Sequence, residues 1–360
     1  MKVLFIVPYP TEGASNRLRV EQYLPYLDRQ GISYRVRPFI SRRFYSILYV
    51  RGQYVKKICY FLFSTLNRFF DIFRAFWFDA VFIHREAFPL GAPWLETIFR
   101  LEGKRVIFDF DDAIFLPHTS KTNALVDRFK SPQKIPAIIR MSDQVIAGNE
   151  YLKNYARQFN PAITVIPTPI DTDMYRADAS STRTRTRCVI GWIGSVTTQV
   201  YLETMHDVFK EVSRTFPEAY FKIIGGRIDC EGIQNIEYVP WRLETELDEL
   251  RDLDIGIMPM PDNEWTKGKC AFKIILYMSL GIPTVSSPVG VNRDIVRDGH
   301  NGFLARDSRE WIDKLSRLIR EPKLRGDFAR EGRRLVEELY SVKANAPKFI
   351  NVLEKTHETV

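Results

Sequence analysis

Short apolar runs alternate with amphipathic stretches along the chain. "VLFIV" (3–7), "AVFI" (80–83), "RVIFDF" (105–110), "QVIAG" (144–148) and "ITVIP" (163–167) are each bounded by charged or turn residues. Near-continuous apolar runs of this length predict strands of a parallel sheet covered on both faces. Between the first two runs, Val20, Tyr23, Leu24 and Leu27 recur at helical spacing. The pattern lapses in "ADASSTRTRTR" (177–187), which has no large apolar residue and reads as a linker. It then restarts with "CVIGWIG" (188–194), followed by Leu202, Met205, Val208, Phe209, Val212 and Phe216 at a period of 3.6. "YFKIIGG", "IEYVPW", "IGIMPM" and "PTVSS" predict further strands, with helices near 243–252, 271–280, 293–297, 308–319 and 322–338. The expected fold class is α/β: two Rossmann-like, doubly wound halves facing a cleft. The expected boundaries are 1–176 for the first domain, 177–187 for the linker and 188–338 for the second domain. Residues 339–360 are expected to be a helical segment packing back toward the first.

Length and composition agree with this division. A chain of 360 residues exceeds one ordinary core, and 45% hydrophobic with 27% charged residues predicts globular folding. "MKVLFIVPYP" is too short for a secretory signal and reads as a buried first strand. Cys59, Cys188, Cys230 and Cys270 lack paired spacing, so reduced thiols and a cytoplasmic location are expected. The histidines are equally dispersed, and no metal site is predicted.

Charge changes the picture in one place. The net charge is +8, and residues 42–74 hold seven cations (Arg42, Arg43, Arg51, Lys56, Lys57, Arg68, Arg74) against Asp71, which is 7 − 1 = +6. The same segment is rich in aromatics. Its longest uncharged run, Ile58 to Asn67, is about half the roughly 20 residues a membrane span needs. A basic, aromatic helix suits an anionic membrane surface such as the inner face of a plasma membrane; a core-facing helix with a wet basic face is the other reading. No nucleic-acid motif accompanies the charge.

Candidate chemistry clusters in three stretches. "KGKCAFKIILYMSLGIPTVSSPVGVN" (267–292) places Lys267, Lys269 and Lys273 around the start of a helix, where the macrodipole makes cations unfavourable unless an anion is bound. Such a cluster would neutralise a diphosphate. In the loop that follows, the Val289, Gly290 and Val291 amides are expected to point at the cleft. "FDFDDAIF" (108–115) puts Asp109, Asp111 and Asp112 beyond a strand, where one of them would orient or deprotonate an acceptor hydroxyl. His84, ending the strand "AVFI", and His118 are further candidates for that role. Gly13 lies in the turn after the first strand, as either a ligand-approach glycine or a simple turn glycine.

The order "GS" turn, long helix, "KIIGG", "VPW", "DIGIMP", "KGKCAFK", "YMSLGIPTVSSPVG", "DGHNGFL" resembles the C-terminal domain of family 4 glycosyltransferases (glycosyl transferases group 1). "NPAITVIPTPIDTDMY" resembles the end of their N-terminal domain. The resemblance implies the GT-B architecture. It also implies transfer of a sugar from a nucleotide-diphosphate sugar to a sugar or lipid-linked hydroxyl acceptor, as in cell-surface polysaccharide or glycolipid assembly. Retained configuration, no metal and no cofactor are implied as well. Gly13, Gly194, Ser195, Trp241, Glu264, Lys269, Lys273, Val289 and Gly290 would contact the donor; His84, Asp109, Asp111 and Asp112 would be catalytic. The chain departs from the family where Gly268 and Leu276 replace two glutamates. Asp262 or Glu264 would replace the first, and Gly194-Ser195 stands where an arginine is frequent. Two alternatives follow: a metal-dependent GT-A-like enzyme using Asp109 and Asp111, or a non-catalytic nucleotide-sugar binder. A dinucleotide oxidoreductase is disfavoured, since no G-x-G-x-x-G follows a strand.

Overall fold

The computed structural model describes residues 1–48, 50, 52–117, 131–176, 187–229, 231–233 and 235–355. Nearly all of the expected linker, and His118, lie outside these. The chain forms two compact units: Met1–Pro169 with Asn345–Val360, and Ile170–Ala344. The division thus falls at 169/170 and 344/345 rather than at 176 and 338. The reason lies in backbone pairing: Ile170 donates to Tyr340 O and accepts from Val342 N, at 2.9 and 3.0 Å, which ties 170–176 to the second unit.

The first unit contains β1 (Lys2–Val7), β2 (Ser33–Pro38), β3 (Ala80–His84), β4 (Arg105–Phe110), β5 (Gln144–Ala147) and β6 (Ile163–Val165). They form a parallel sheet in the order β2-β1-β3-β4-β5-β6. Residues of β1, β3, β4 and β5 are almost entirely buried, as their apolar runs predict. Phe5, Phe82 and Tyr23 pack around Phe349 of the Val342–Glu354 helix, with the Tyr23 and Phe349 rings stacked at 4.1 Å. The second unit contains β7 (Cys188–Ile193), β8 (Ala219–Ile224), β9 (Ile236–Val239), β10 (Ile255–Met258), β11 (Thr284–Ser286) and β12 (Phe303–Leu304). Their order is β12-β11-β10-β7-β8-β9, again parallel. Trp192, Phe209, Phe221 and Trp311 anchor its core. Each sheet reverses its winding once, between β1 and β3 and between β7 and β10. Open α/β sheets form their ligand crevices outside the strand carboxyl ends at such points.

The 22-residue Tyr54–Ala75 helix buries mostly polar residues. Its buried residues are Ser64, Arg68, Asp71 and Ala75. Tyr54, Val55, Ile58, Leu62, Phe63, Leu66, Phe69, Phe70 and Phe73 are exposed, with Phe76 and Trp77 just beyond. The polar face is held by ions: Asp71 receives Arg68, Arg37 and Arg74 at 3.0, 2.7 and 2.9 Å. Arg68 also donates to the Arg37 and Val7 carbonyls. Burial pulls the Arg68 guanidinium down to about 10, although Asp71 opposes this. The charge excess of the segment is therefore only partly available at the surface. Arg68 is buried, Arg74 is bound to Asp71, and Arg42 meets Glu12 at 2.6 Å. The core-facing reading holds only in part: Tyr60, Phe61 and Phe69 pack on Phe44, Phe39, Phe88 and Trp94, while most of the other apolar side chains are exposed. Among the described residues, no helix is long and apolar enough to cross a membrane.

Candidate functional site

In the first unit the chemistry gathers at the carboxyl ends of β1, β3 and β4. The turn after β1 closes on itself: Gly13 N–H donates to Pro10 O at 2.8 Å, and a Cβ on Gly13 would lie 2.4 Å from Tyr9 Cβ. Gly13 is therefore required by the turn. It starts the Ala14–Arg19 helix, which carries Ser15 and Arg19 inward. β3 and β4 pair so that His84 lies directly beside Asp109. His84 Nδ1 is 2.6 Å from Asp109 Oδ2, and Nε2 is 2.5 Å from Ser15 Oγ. Arg19 closes the far side of Asp109, pairing with Oδ1 and donating Nε–H to Oδ2 at 3.2 Å, while Nη1 holds Ile166 O at 2.8 Å. Burial would raise the Asp109 carboxyl, but Arg19 and His84 outweigh it and hold it below its ordinary value. An ionised Asp109 fixes the imidazole proton on Nδ1 and leaves Nε2 to accept from the Ser15 hydroxyl.

Asp111 and Asp112 belong to a separate clamp. Arg85 follows His84 with φ of 65°, unusual for a non-glycine residue, and its N–H donates to Asp109 O at 2.7 Å. That conformation brings its guanidinium onto Asp111 at 2.7 Å and Asp112 at 2.8 Å. Burial again pushes the Asp111 carboxyl up, and Arg85, His84 and Arg19 overcome it, holding it well below the carboxylate range. The structure thus brings His84 and Asp109 together and turns Asp111 and Asp112 onto Arg85. Each carboxylate of the suggested Asp109–Asp111 metal pair is engaged by a different arginine. Among the described residues, no group of three or more His, Cys, Asp or Glu could hold a metal ion.

In the second unit the corresponding ends are those of β7 and β10. Gly194 lies against Trp192, whose ring would be 2.2 Å from an added Cβ, and Gly225 at φ of 80° would meet Gly194 O at 2.2 Å. Close packing on Trp192 explains Gly194, and the positive φ beside the Gly194 carbonyl explains Gly225. Ser195 Oγ bonds Thr197 Oγ1 at 2.8 Å within the turn. Tyr277 OH accepts the Ile193 N–H at 3.0 Å, fixing the end of β7 to the Phe272–Ser279 helix. Trp241 Nε1 donates to Glu246, whose other oxygen accepts from Tyr175 OH.

The three lysines separate. Lys267, at the end of the Glu264–Lys267 helix, pairs with Glu264 at 2.7 Å and lies 3.8 Å from Asp262. Both carboxylates suggested as stand-ins for the absent glutamate face this lysine. Lys269 Nζ lies 5.4 Å from the Trp265 ring centre and Lys273 Nζ lies 5.6 Å from that of Trp192. Both lysines are half-buried. Ala271, with φ of 51°, turns the chain into the Phe272–Ser279 helix, so Lys269 and Lys273 flank its positive end. Leu276 is buried in the core. Gly290, at φ of 52°, lets its loop approach Lys267, whose carbonyl would be 2.9 Å from an added Cβ. The expected row of outward amides is corrected at Val289, which is buried and donates its N–H to Ser287 O at 2.8 Å.

Sequence reasoning missed Ser15, Arg19, Arg85, Trp192 and Trp265. A neighbouring aromatic was the only available signal, and it is local for Trp265 alone.

Residues 187–321 match the family model of glycosyl transferases group 1. Among solved structures, HepE from Anabaena, crystallised with UDP and glucose, is 14% identical over 99% of this chain and 100% of its own, with a TM-score of 0.68. Sucrose-phosphate synthase from Thermosynechococcus elongatus is 12% identical over 98% of each chain, with a TM-score of 0.66. A glycosyltransferase from Rickettsia africae is 13% identical over 99% of each, with a TM-score of 0.68. No curated protein matches the sequence. The chain has the GT-B fold, which removes the GT-A-like alternative, and the family resemblance is borne out over residues 187–321.

Proposed function

We propose that the protein is a glycosyltransferase. It moves a hexose from a nucleotide-diphosphate sugar to a hydroxyl acceptor, with retained configuration and without a metal. The observation that carries this reading is the pair Lys269 and Lys273, held against Trp265 and Trp192 at the start of the Phe272–Ser279 helix. It lies within the segment that matches the family model. There the two ammonium groups and the helix dipole would stabilise a departing diphosphate. Gly194, Ser195, Trp241, Glu264 and Gly290 would line the donor.

The acceptor in this reading is a lipid-linked sugar, used in cell-surface polysaccharide or glycolipid assembly at the cytoplasmic face of a membrane. Support comes from the Tyr54–Ala75 helix, whose aromatic outer face, beside the exposed Arg43 and Lys56, suits an anionic bilayer surface. The test is a thermal-shift panel of UDP-, GDP-, ADP- and dTDP-sugars in EDTA. A donor at 100 times its dissociation constant adds about 2.7 kcal/mol. A stabilising donor that is also consumed supports the enzyme. Stabilisation without turnover on any acceptor supports a binder, the reading favoured by Gly268 and Leu276 standing in place of glutamates. No shift from any of the four overturns both.

A further inference from the structure

The Ser15 side chain is half-buried at the first turn of the Ala14–Arg19 helix, against the carboxyl end of β3. Behind it His84 is fully buried, and Asp109 behind that is buried as well. His84 Nε2 is 2.5 Å from Ser15 Oγ, and Nδ1 is 2.6 Å from Asp109 Oδ2. All three residues lie in the first unit. Arg19 pairs with Asp109 and holds Ile166 O, so the carboxylate cannot turn away. The series has one polarity. A carboxylate only accepts, so the imidazole proton stays on Nδ1 and Nε2 offers a lone pair. The Ser15 O–H then points inward at Nε2. A hydroxyl has one proton and two lone pairs. With the proton turned inward, Oγ meets the outside with lone pairs alone. Such a group selects a ligand that brings a hydrogen-bond donor. The half-buried Arg85, Asp111 and Asp112 lie at the same strand ends, with Asp111 Oδ1 3.9 Å from His84 Nε2. A ring whose hydroxyls both donate and accept fits this mixture better than an apolar or purely anionic group.

We propose that Ser15 Oγ is a specificity contact for a hydroxyl of the acceptor sugar, accepting a hydrogen bond from it, and that His84 and Asp109 are positioning residues that fix this polarity. This rests on the glycosyl-transfer reading and names a group that recognises the acceptor. The contact holds the sugar and takes no proton from it. A substituent at the held position that cannot donate leaves Oγ facing a second acceptor or a void, and the site discriminates against it.

The experiment titrates the methyl α-glycosides of glucose, galactose, mannose and N-acetylglucosamine into wild type, Ser15→Ala, Ser15→Thr and His84→Gln by ligand-observed NMR, with no donor present. The glycoside that binds is then replaced by its deoxy and fluoro analogues, one hydroxyl at a time. Fluorine can accept but cannot donate. At one ring position, loss of the hydroxyl should weaken binding to wild type roughly three- to tenfold, and fluorine there should do no better than hydrogen. Ser15→Ala should weaken the parent glycoside by a similar factor and bind the parent, deoxy and fluoro forms alike. Ser15→Thr should restore the discrimination. His84→Gln, which keeps one donor and one acceptor, should retain it. A fluoro analogue that binds wild type more than about twofold better than the deoxy form at every sensitive position would overturn the polarity. A Ser15→Ala variant that weakens the deoxy form as much as the parent would overturn the contact, since a general structural defect acts on both. Wild type that binds none of the four glycosides, while a nucleotide sugar still raises its melting temperature, would overturn the proposal and leave donor binding standing. Failure of every nucleotide sugar to raise the melting temperature overturns the proposed function itself.

Discussion

The two strand-end clusters handle charge in opposite ways. In the first unit, arginines are clamped by carboxylates: Arg19 by Asp109, and Arg85 by Asp111 and Asp112. In the second, Lys269 and Lys273 lie against indole rings. A buried ion pair tolerates little change, since losing one partner leaves a desolvated charge behind. An ammonium over a ring face gains a cation–π attraction of about 0.5–2 kcal/mol. The first cluster is suited to holding a hydroxyl at fixed geometry, the second to receiving a charged ligand.

The strongest way to break this comparison is to remove a carboxylate. Asp109→Ala strands Arg19 and should cost about 3–5 kcal/mol in denaturant unfolding, whereas Lys273→Ala should cost under about 1 kcal/mol. Comparable losses in the two variants would erase the distinction. Function should invert the ranking within the lysine cluster. Lys269→Ala and Lys273→Ala should each lower kcat/KM for the donor by roughly 10- to 1000-fold, the double variant being about as poor as the worse single. Wild-type kinetics in both singles would move the diphosphate elsewhere.

Acid sharpens the contrast. Asp109 and Asp111 have folded values held below their ordinary ones, so their contribution is fully present above about pH 4 and fades as pH falls through the folded values. Melting temperature should change little from about pH 7 to 5 and fall below about pH 4. In Arg85→Met, which removes a lowering influence on Asp111, the fall should begin at higher pH; an unchanged profile would deny the clamp.

The smallest effects concern the Tyr54–Ala75 helix. Lys56→Gln should weaken binding to anionic vesicles by about fivefold, since each cation near the surface contributes about 1 kcal/mol. Phe63→Ser with Phe73→Ser should remove the salt-resistant part of binding without lowering thermal stability, because both rings are exposed. Destabilisation in flotation-negative variants would show that these rings are packed.

Much of the fold was legible because buried parallel strands announce themselves as apolar runs. β2 escaped notice: "SYRVRP" alternates polar residues, as an edge strand with partly exposed faces does. β12 has only two residues and leaves almost no pattern. The Tyr54–Ala75 helix showed its period but not its orientation. Periodicity says that one face is apolar, and only the Arg68–Asp71 lock, which depends on Arg37 from β2, says that most of this face points out. The lysine cluster was visible because it is local in sequence. Ser15, His84 and Asp109 were not visible as a unit, since the β3–β4 register that aligns His84 with Asp109 joins positions far apart in the chain.

The account depends most on a diphosphate held by Lys269 and Lys273, and calorimetric titration of UDP and of uridine into wild type and the Lys269→Ala/Lys273→Ala variant, in EDTA, tests this directly. The account predicts that UDP binds wild type without a divalent ion and loses at least about tenfold in affinity in the variant, while uridine binds both equally. UDP affinity that survives the double substitution, or that appears only when Mg²⁺ or Mn²⁺ replaces EDTA, would contradict it.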